Sequence, residues 1–461
     1  MPELDPLFLS RIQFVWVVAF HILLPAFTVG LASYIAVLEG LHFFTGQAVF
    51  LRTSQFWIKI FSVSFAMGVV SGIVMPFQFG TNWSRYADAT ANIMGPLMGY
   101  EGLTAFFLEA GFLGVLLFGR KLVPSWMHFF AAVMVAAGTL FSTFWILAAN
   151  SWMQTPAGHT MADGRFVASS WVEVIFNPSF PYRFTHTVVA FYITTAFVVI
   201  GAAGYLLRAG RAPEESRTMQ KMGFGLLILL VPLQVFLGDL HGLNTLEHQP
   251  AKLAAIEAIW NTGPRVPLLL FAWPDEQAEA NRYELGVPAL GSVILKRDPN
   301  GVVRGLKDFP REDRPPVALP FFAFRAMVGI GLIMLAVVLC AAWLWWRGRL
   351  HDTPWFQKLC IACVPLGFLA VLLGWTTTEV GRQPWVVYGL MRTRDAVSPS
   401  LTGMDVLLSL ILYGLVYCII FGVGALFMAR LMRAGPGGVA AGEPTLLHRP
   451  ARPLSGAVEE T

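Results

Sequence analysis

Nine apolar runs, each long enough to cross a bilayer, limit what this chain can fold into. A helix needs about 20 apolar residues to span the hydrocarbon core. The runs predict spans at roughly 12–41, 56–77, 94–119, 123–148, 184–208, 219–240, 319–346, 356–378 and 402–432. Of 461 residues, 56% are hydrophobic and only 13% charged. Soluble domains carry roughly 25% charged residues. Lipid cannot satisfy backbone polar groups, so the expected fold is an all-α membrane protein with about nine transmembrane helices. The net charge of +4 gives no sign of a nucleic-acid partner. Met1-Pro-Glu-Leu-Asp5 lacks the basic start of a cleaved signal peptide, so the first span is expected to act as its own insertion signal.

Most connections between the runs are short. The exception is 241–318, which is polar and rich in proline and charge. A loop of that length is usually functional or disordered. It divides the chain into helices one to six (1–240), the loop, helices seven to nine (319–432), and a Gly/Pro/Ala-rich tail (433–461) expected to be disordered. A short helix is expected from Ala251 to Trp260. Short loops on one side, with Arg120, Lys121, Arg208, Arg211, Arg347, Arg349, Arg430 and Arg433, hold about 15 Lys and Arg, against about seven opposite. That bias puts the N-terminus and the long loop outside and the C-terminus inside. No internal repeat is visible, which argues against common transporter folds. The four cysteines lie in apolar runs. Cys360-Ile-Ala-Cys363 lacks the following His of a haem-attachment motif and is read as packing.

Ionisable groups inside a membrane are expensive and mark functional sites. The run Gly374 to Trp385 closes the eighth span with Trp375, Glu379, Arg382 and Trp385. Glu379 and Arg382 are three residues apart and suited to pair. His21 sits well inside the first span, between Phe20 and Ile22; a packed histidine and a ligand are both open readings. His186 opens the fifth span and Met327 the seventh, both from the outer side. They could face each other across one porphyrin, since His/Met ligation gives a low-spin, electron-transferring haem. Arg183 and Arg325 beside them would suit propionates. Glu101 and Glu109 lie eight residues apart in the third span. On a straight α-helix they would fall within about 80° of one face and about 12 Å apart, as a proton relay or as a carboxylate near a metal. His128, at the inner end of the fourth span, is read as interfacial. Trp145, Asn150, Trp152 and Gln154 mark the outer end of that span, as an aromatic belt or as haem packing. In the long loop, Lys252 and Glu257 are either a solvated face or a hydrogen-bonding site for a quinol head group. His21, Glu101, His186, Met327 and Glu379 are expected at one depth in the outer half, as a multi-cofactor site.

These stretches together resemble subunit I of the cytochrome bd-type quinol oxidases. The resemblance rests on Leu9-Ser-Arg-Ile-Gln-Phe14 with His21, Tyr100 to Glu109, Phe144 to Gln154, Arg183-Phe-Thr-His-Thr187, Lys252-Leu-Ala-Ala-Ile-Glu257, Phe324-Arg-Ala-Met327 and Glu379-Val-Gly-Arg-Gln-Pro-Trp385. It covers nearly the whole chain except the tail. It implies a low-spin haem b on His186 and Met327. It also implies a high-spin haem b and an oxygen-reducing haem d with His21 and Glu379 as axial ligands, in either order. Arg325, Arg382 and Trp375 would lie beside these cofactors. Glu101 and Glu109 would assist ligation and deliver protons, and Lys252 and Glu257 resemble the quinol-oxidising residues of the Q loop. The implied reaction oxidises quinol, ubiquinol rather than menaquinol, and reduces O2 to water, building proton motive force without pumping. The implied setting is the bacterial inner membrane, with a second membrane subunit and room for a small accessory one. One departure stands out: only about 55 residues separate Trp260 from Pro315. That resembles the short-loop branch, which includes the cyanide-insensitive oxidases, and leaves a further haem b open in place of haem d. A proton- or ion-coupled transporter would explain the carboxylates but not His186 with Met327. A haem-bearing anchor that only relays electrons is a third reading.

Overall fold

The structure is a computed structural model and describes residues 4–436. Among the described residues, nine helical spans are long and apolar enough to cross a membrane: Pro6–Thr45, Ala48–Thr81, Ser84–Lys121, Ser125–Gln154, Phe180–Arg208, Pro213–His248, Ala318–Trp346, Pro354–Val380 and Gly403–Ala434. Each overlaps one span read from the sequence. The sixth runs on past 240 to His248, so the long connection starts later than expected. The ninth runs to Ala434, and the tail from 437 onward lies outside the described residues.

Local chemistry explains the breaks. Asp5 caps the first helix through the backbone N–H of Leu7. Pro25 has no N–H for the carbonyl of His21, and the Leu24 N–H takes that acceptor instead at 3.0 Å. The span therefore splits into Pro6–Leu23 and Pro25–Thr45 just beyond His21. Pro365 likewise divides the eighth span into Pro354–Ala362 and Leu366–Val380. The third span is interrupted by a π-helical stretch, Glu101–Phe106.

The fifth span is the most enclosed, and the ninth exposes most of its surface. Small residues let the fifth and eighth spans touch backbone to backbone. A methyl on Gly367 would lie 2.6 Å from Thr194 Oγ1, and one on Gly201 would lie 2.2 Å from Val364 Cγ2. Cys360 and Cys363 are buried in this packing, as free thiols.

The nine helices make the all-α membrane fold that was expected. Between the spans, three short antiparallel hairpins form among the described residues: His159–Ala162 with Arg165–Ala168, Leu268–Asp275 with Ala280–Val287, and Trp385–Val387 with Met391–Arg392. The long connection is ordered. It holds a short helix, Pro250–Ile256, which ends four residues before the expected Trp260. A second helix, Leu290–Lys296, follows the longest hairpin. Leu253, Ile256, Trp260, Leu269, Leu306 and Phe321 form a buried core that seats this segment on the start of the seventh span.

Candidate functional site

The end of the eighth span is the centre of a buried polar cluster. Glu379 accepts hydrogen bonds from Asn150 Nδ2 at 2.9 Å and Gln154 Nε2 at 3.2 Å, and pairs with Arg382. Gln154 then bridges outward, since its Oε1 accepts from Lys252 Nζ at 3.0 Å and from Gln249 Nε2 at 3.1 Å. Lys252 also donates to Gln249 Oε1 at 3.2 Å and is only 3% exposed. Burial, with Arg183 nearby, pulls the Lys252 ammonium well below its usual range, and Glu379 opposes this. Arg183, Lys252 and Arg382 all act on the single carboxylate of Glu379. Arg183 Nε and Arg382 Nε and Nη1 are buried and have no partner among the described residues.

Glu257 caps the 250–256 helix and faces away from Lys252. It pairs with Arg325 of the seventh span at 2.5 Å. The guanidinium also lies over Phe321 and Phe324, at 5.1 and 5.3 Å, and its Nε has no partner among the described residues. Arg325, expected on a propionate, is thus engaged with the loop.

Each of the other candidate ligands has its own surroundings. His186 Nε2 lies 3.1 Å from Gln234 Nε2, a nitrogen that also donates to the His186 carbonyl at 3.1 Å. His186 Nδ1 and Gln234 Oε1 are buried and have no partner among the described residues. The ring of His241 meets that of His186 edge-on at 5.6 Å. Met327 packs against the eighth span, where a methyl on Gly374 would lie 2.9 Å from its Sδ. Trp375, next in sequence, is half-buried. His21 is tied to the second span by Nδ1 at 3.0 Å from Ser71 Oγ. Its Cε1 lies 3.1 Å from the methyl position of Gly72, and Nε2 makes no hydrogen bond among the described residues.

The carboxylates of the third span both face the fourth. Ser142 Oγ donates to Glu101 Oε1 at 2.9 Å, and Glu109 Cγ lies 2.5 Å from the methyl position of Gly138. Positions 138 and 142 share one helix face. The wide π turn at 101–106 rotates the chain less per residue than an α-helix does, which closes the offset expected for a straight helix. The five expected residues do not share one depth. Ser142 lies about 18 Å below Gln154 along the fourth helix, and Gly138 about 6 Å deeper still. The site is a ladder descending from Glu379 through Glu101 to Glu109.

His128 is not interfacial. It is 1% exposed, with Nδ1 3.1 Å from Glu39 Oε2 and Nε2 3.0 Å from the Leu116 carbonyl. A buried carboxylate of the first span holds it inside. Gln234, Gln249, His241 and Glu39 were absent from the sequence reading. Gln234 and Glu39 carried the usual signal, a polar residue in an apolar run.

These residues fit an anionic, axially ligated macrocycle. Two buried guanidinium groups and the Lys252 amine surround one carboxylate, and buried charge without a partner is strongly destabilising. His186 and His21 each keep a ring nitrogen that has no partner among the described residues. Acidic propionates would complete the first pattern, and axial ligation to iron the second.

Comparison with known proteins decides the matter. The profile of the family described as cytochrome bd terminal oxidase subunit I matches residues 9–436. The chain belongs to that family. The cytochrome bd ubiquinol oxidase subunit 1 of Bacillus subtilis (strain 168) is 35% identical over 446 residues, 93% of each chain. The cytochrome bd-II ubiquinol oxidase subunit 1 of Escherichia coli (strain K12) is 32% identical over 511 positions, covering 96% of this chain and 99% of that one. The solved structure of bd oxidase from Geobacillus thermodenitrificans matches with a TM-score of 0.86 at 29% identity, over 95% of this chain and all of that one. Membership makes the chain a haem-bearing subunit of a quinol-oxidising terminal oxidase. None of these similarities supports the transporter reading.

Proposed function

We propose that this subunit oxidises ubiquinol at its outer face and reduces O2 to water within the bundle, in the bacterial inner membrane. The observation that carries the reading is the buried cluster of Arg183, Lys252 and Arg382 around Glu379, with guanidinium nitrogens left unpartnered. His186 and Met327 would hold the low-spin haem b. His21 and Glu379 would hold the high-spin haem b and haem d, or a further haem b in its place. Arg183, Arg325, Arg382 and Trp375 would line these cofactors. The haems, when bound, supply the electron transfer and the oxygen reduction.

The chain's own residues do the rest. Glu257, at the loop edge and oriented by Arg325, accepts a quinol proton and passes it to outer water. A carboxylate can do this because proton transfer needs only hydrogen-bond reach and a matched proton affinity. Lys252, fixed by Gln154 and Gln249, supplies a hydrogen bond to the head group and joins that region to the Glu379 cluster. Glu109 and Glu101 carry protons from the inner side toward the oxygen site. Protons released outside and consumed from inside charge the membrane without pumping. The segment 241–318 acts as the quinol-binding loop, outside with the N-terminus, and the C-terminus faces the cytoplasm. A second membrane subunit, and a small accessory one, complete the complex. The branch is the short-loop one. The Escherichia coli relative aligns over 511 positions against the 461 residues of this chain, so it carries segments absent here.

Pyridine-haemochrome analysis and a reduced-minus-oxidised spectrum of the purified complex test the cofactors. Quinol-driven oxygen uptake tests the reaction. A colourless complex, or one that takes up no oxygen with quinol, would overturn the proposal.

A further inference from the structure

The inner end of the bundle holds a second buried polar cluster, built by four different spans. Glu39 of the first span is 2% exposed. Its Oε1 accepts from Ser54 of the second span and Arg120 at the end of the third, and its Oε2 faces His128 of the fourth. We propose that Glu39 and His128, with Arg120 and Ser54, form a proton-loading site from which protons reach Glu109 along the seam between the third and fourth spans. This rests on the oxygen-reducing function and the membrane orientation proposed above.

The argument starts from hydrogen positions. A carbonyl oxygen only accepts, so the 3.0 Å contact with Leu116 requires a hydrogen on His128 Nε2. The Nδ1 to Oε2 contact at 3.1 Å therefore holds a proton of its own, on the imidazole or on the carboxyl group. When that proton leaves, a neutral imidazole faces a carboxylate. Arg120 and Ser54 remain on Oε1, so the carboxylate keeps a counter-charge and a donor. The pair can be filled and emptied without stranding a buried charge. A plain structural ion pair would need Arg120 alone.

Access and exit are both present. The Arg120 side chain is 26% exposed and links Glu39 to the inner surface. Leu116, which holds His128, is seven residues from Glu109 on the same helix, about 10 Å. Glu109 lies against Gly138 of the helix that carries His128, and Glu101 with Ser142 continues the line. Each oxygen molecule reduced consumes four electrons and four protons. Each proton would enter at the Nδ1 to Oε2 position and leave over water toward Glu109. Among the described residues, the charged groups His42, Arg52, Lys59, Lys121, Arg208, Arg211, Glu214 and Glu215 at this end form no hydrogen bond or ion pair with Glu39 or His128. Arg52 pairs with Glu214 and Glu215, and His42 contacts the Gln47 carbonyl.

The test uses the intact purified complex, with oxygen uptake driven by quinol and by an artificial electron donor across a pH series. Glu39→Gln should keep its haem spectrum yet lose about tenfold or more of its turnover with both donors, and Glu39→Asp should restore part of it. Arg120→Gln, at a position 26% exposed and with an amide that can still donate to Glu39, should move the alkaline limb of the pH profile upward, because removing a cation strengthens proton binding by the pair. Unchanged turnover in Glu39→Gln with full haem content, or an unmoved pH profile in Arg120→Gln, would overturn the proposal. Should Glu39→Gln fail to assemble, the Arg120→Gln profile alone decides. A wild-type complex without haem or oxygen uptake would instead sink the parent function.

Discussion

Glu257→Gln separates the two things that Glu257 is asked to do. The side chain is 10% exposed and its partner Arg325 is 14% exposed. Stripping one partner from a buried pair costs about 3–5 kcal/mol. Arg325 keeps the faces of Phe321 and Phe324, and such contacts retain about 1–2 kcal/mol when desolvated. Glu257→Ala should therefore lose about 1–4 kcal/mol, local to the loop and the start of the seventh span. Glu257→Gln keeps an oxygen for Arg325 to donate to, so its loss should be nearer 1 kcal/mol, roughly that of a hydrogen bond exchanged for a weaker one. What Gln cannot do is accept a proton. Removing a general base lowers turnover by about 100-fold or more. The assay is oxygen uptake per haem, with quinol and then with an artificial donor, beside a thermal melt followed by the Soret band. The expected result is a nearly normal melt, a normal artificial-donor rate and a quinol rate reduced by that factor. If Glu257→Gln oxidises quinol at the wild-type rate, the carboxylate serves only to anchor the loop.

Four further outcomes are expected. His186→Ala or Met327→Leu should abolish the low-spin haem signal in the redox difference spectrum and leave the oxygen-site bands; loss of every band together would argue against separate sites. Gly374→Ala would bring a methyl within 2.9 Å of Met327 Sδ, and because that side chain is flexible the fold should survive while the low-spin band shifts or weakens. Gly138→Ala meets Glu109 Cγ at 2.5 Å and its backbone nitrogen at 3.2 Å, so overpacking of about 1–3 kcal/mol and slower oxygen uptake with either donor are expected. Ser142→Ala removes one hydrogen bond to Glu101, worth about 1 kcal/mol, and should change oxygen uptake far less than Glu101→Gln; equal effects would mean that Glu101 acts only through Ser142.

Much of the fold was legible because lipid leaves few choices. Length and apolarity alone located nine spans, and each met a helix. The ends were less legible. The sixth helix continues through Asp239, His241 and Glu247 to His248, residues whose polarity reads as loop. There the chain has left the apolar slab but goes on satisfying its backbone in the same helix. The hairpin 268–275 with 280–287 was missed for a related reason. Leu270, Phe271, Trp273, Tyr283 and Leu285 are exposed on both strands, so no clean alternation marked them.

Within the site, residue types were legible and their partners were not. Asn150 and Glu379 are 229 residues apart, and Lys252 and Gln154 are 98 apart. No local pattern encodes such pairings. Lys252 and Glu257, read as one unit, diverge because the 250–256 helix stops between them and the last turn swings Glu257 toward Arg325. His128 misled for the opposite reason. Its place at a helix start resembles a water-facing position, yet Glu39 reaches it from the first span and Leu116 closes it from the third. An imidazole at a span end is interfacial only when no buried carboxylate meets it. Charge balance is the stronger guide. At the outer end cations exceed carboxylates and donors lack partners, which calls for an acidic guest. At the inner end every oxygen of Glu39 is engaged by the protein itself. The first cluster is built to hold a ligand, and the second to hold a proton.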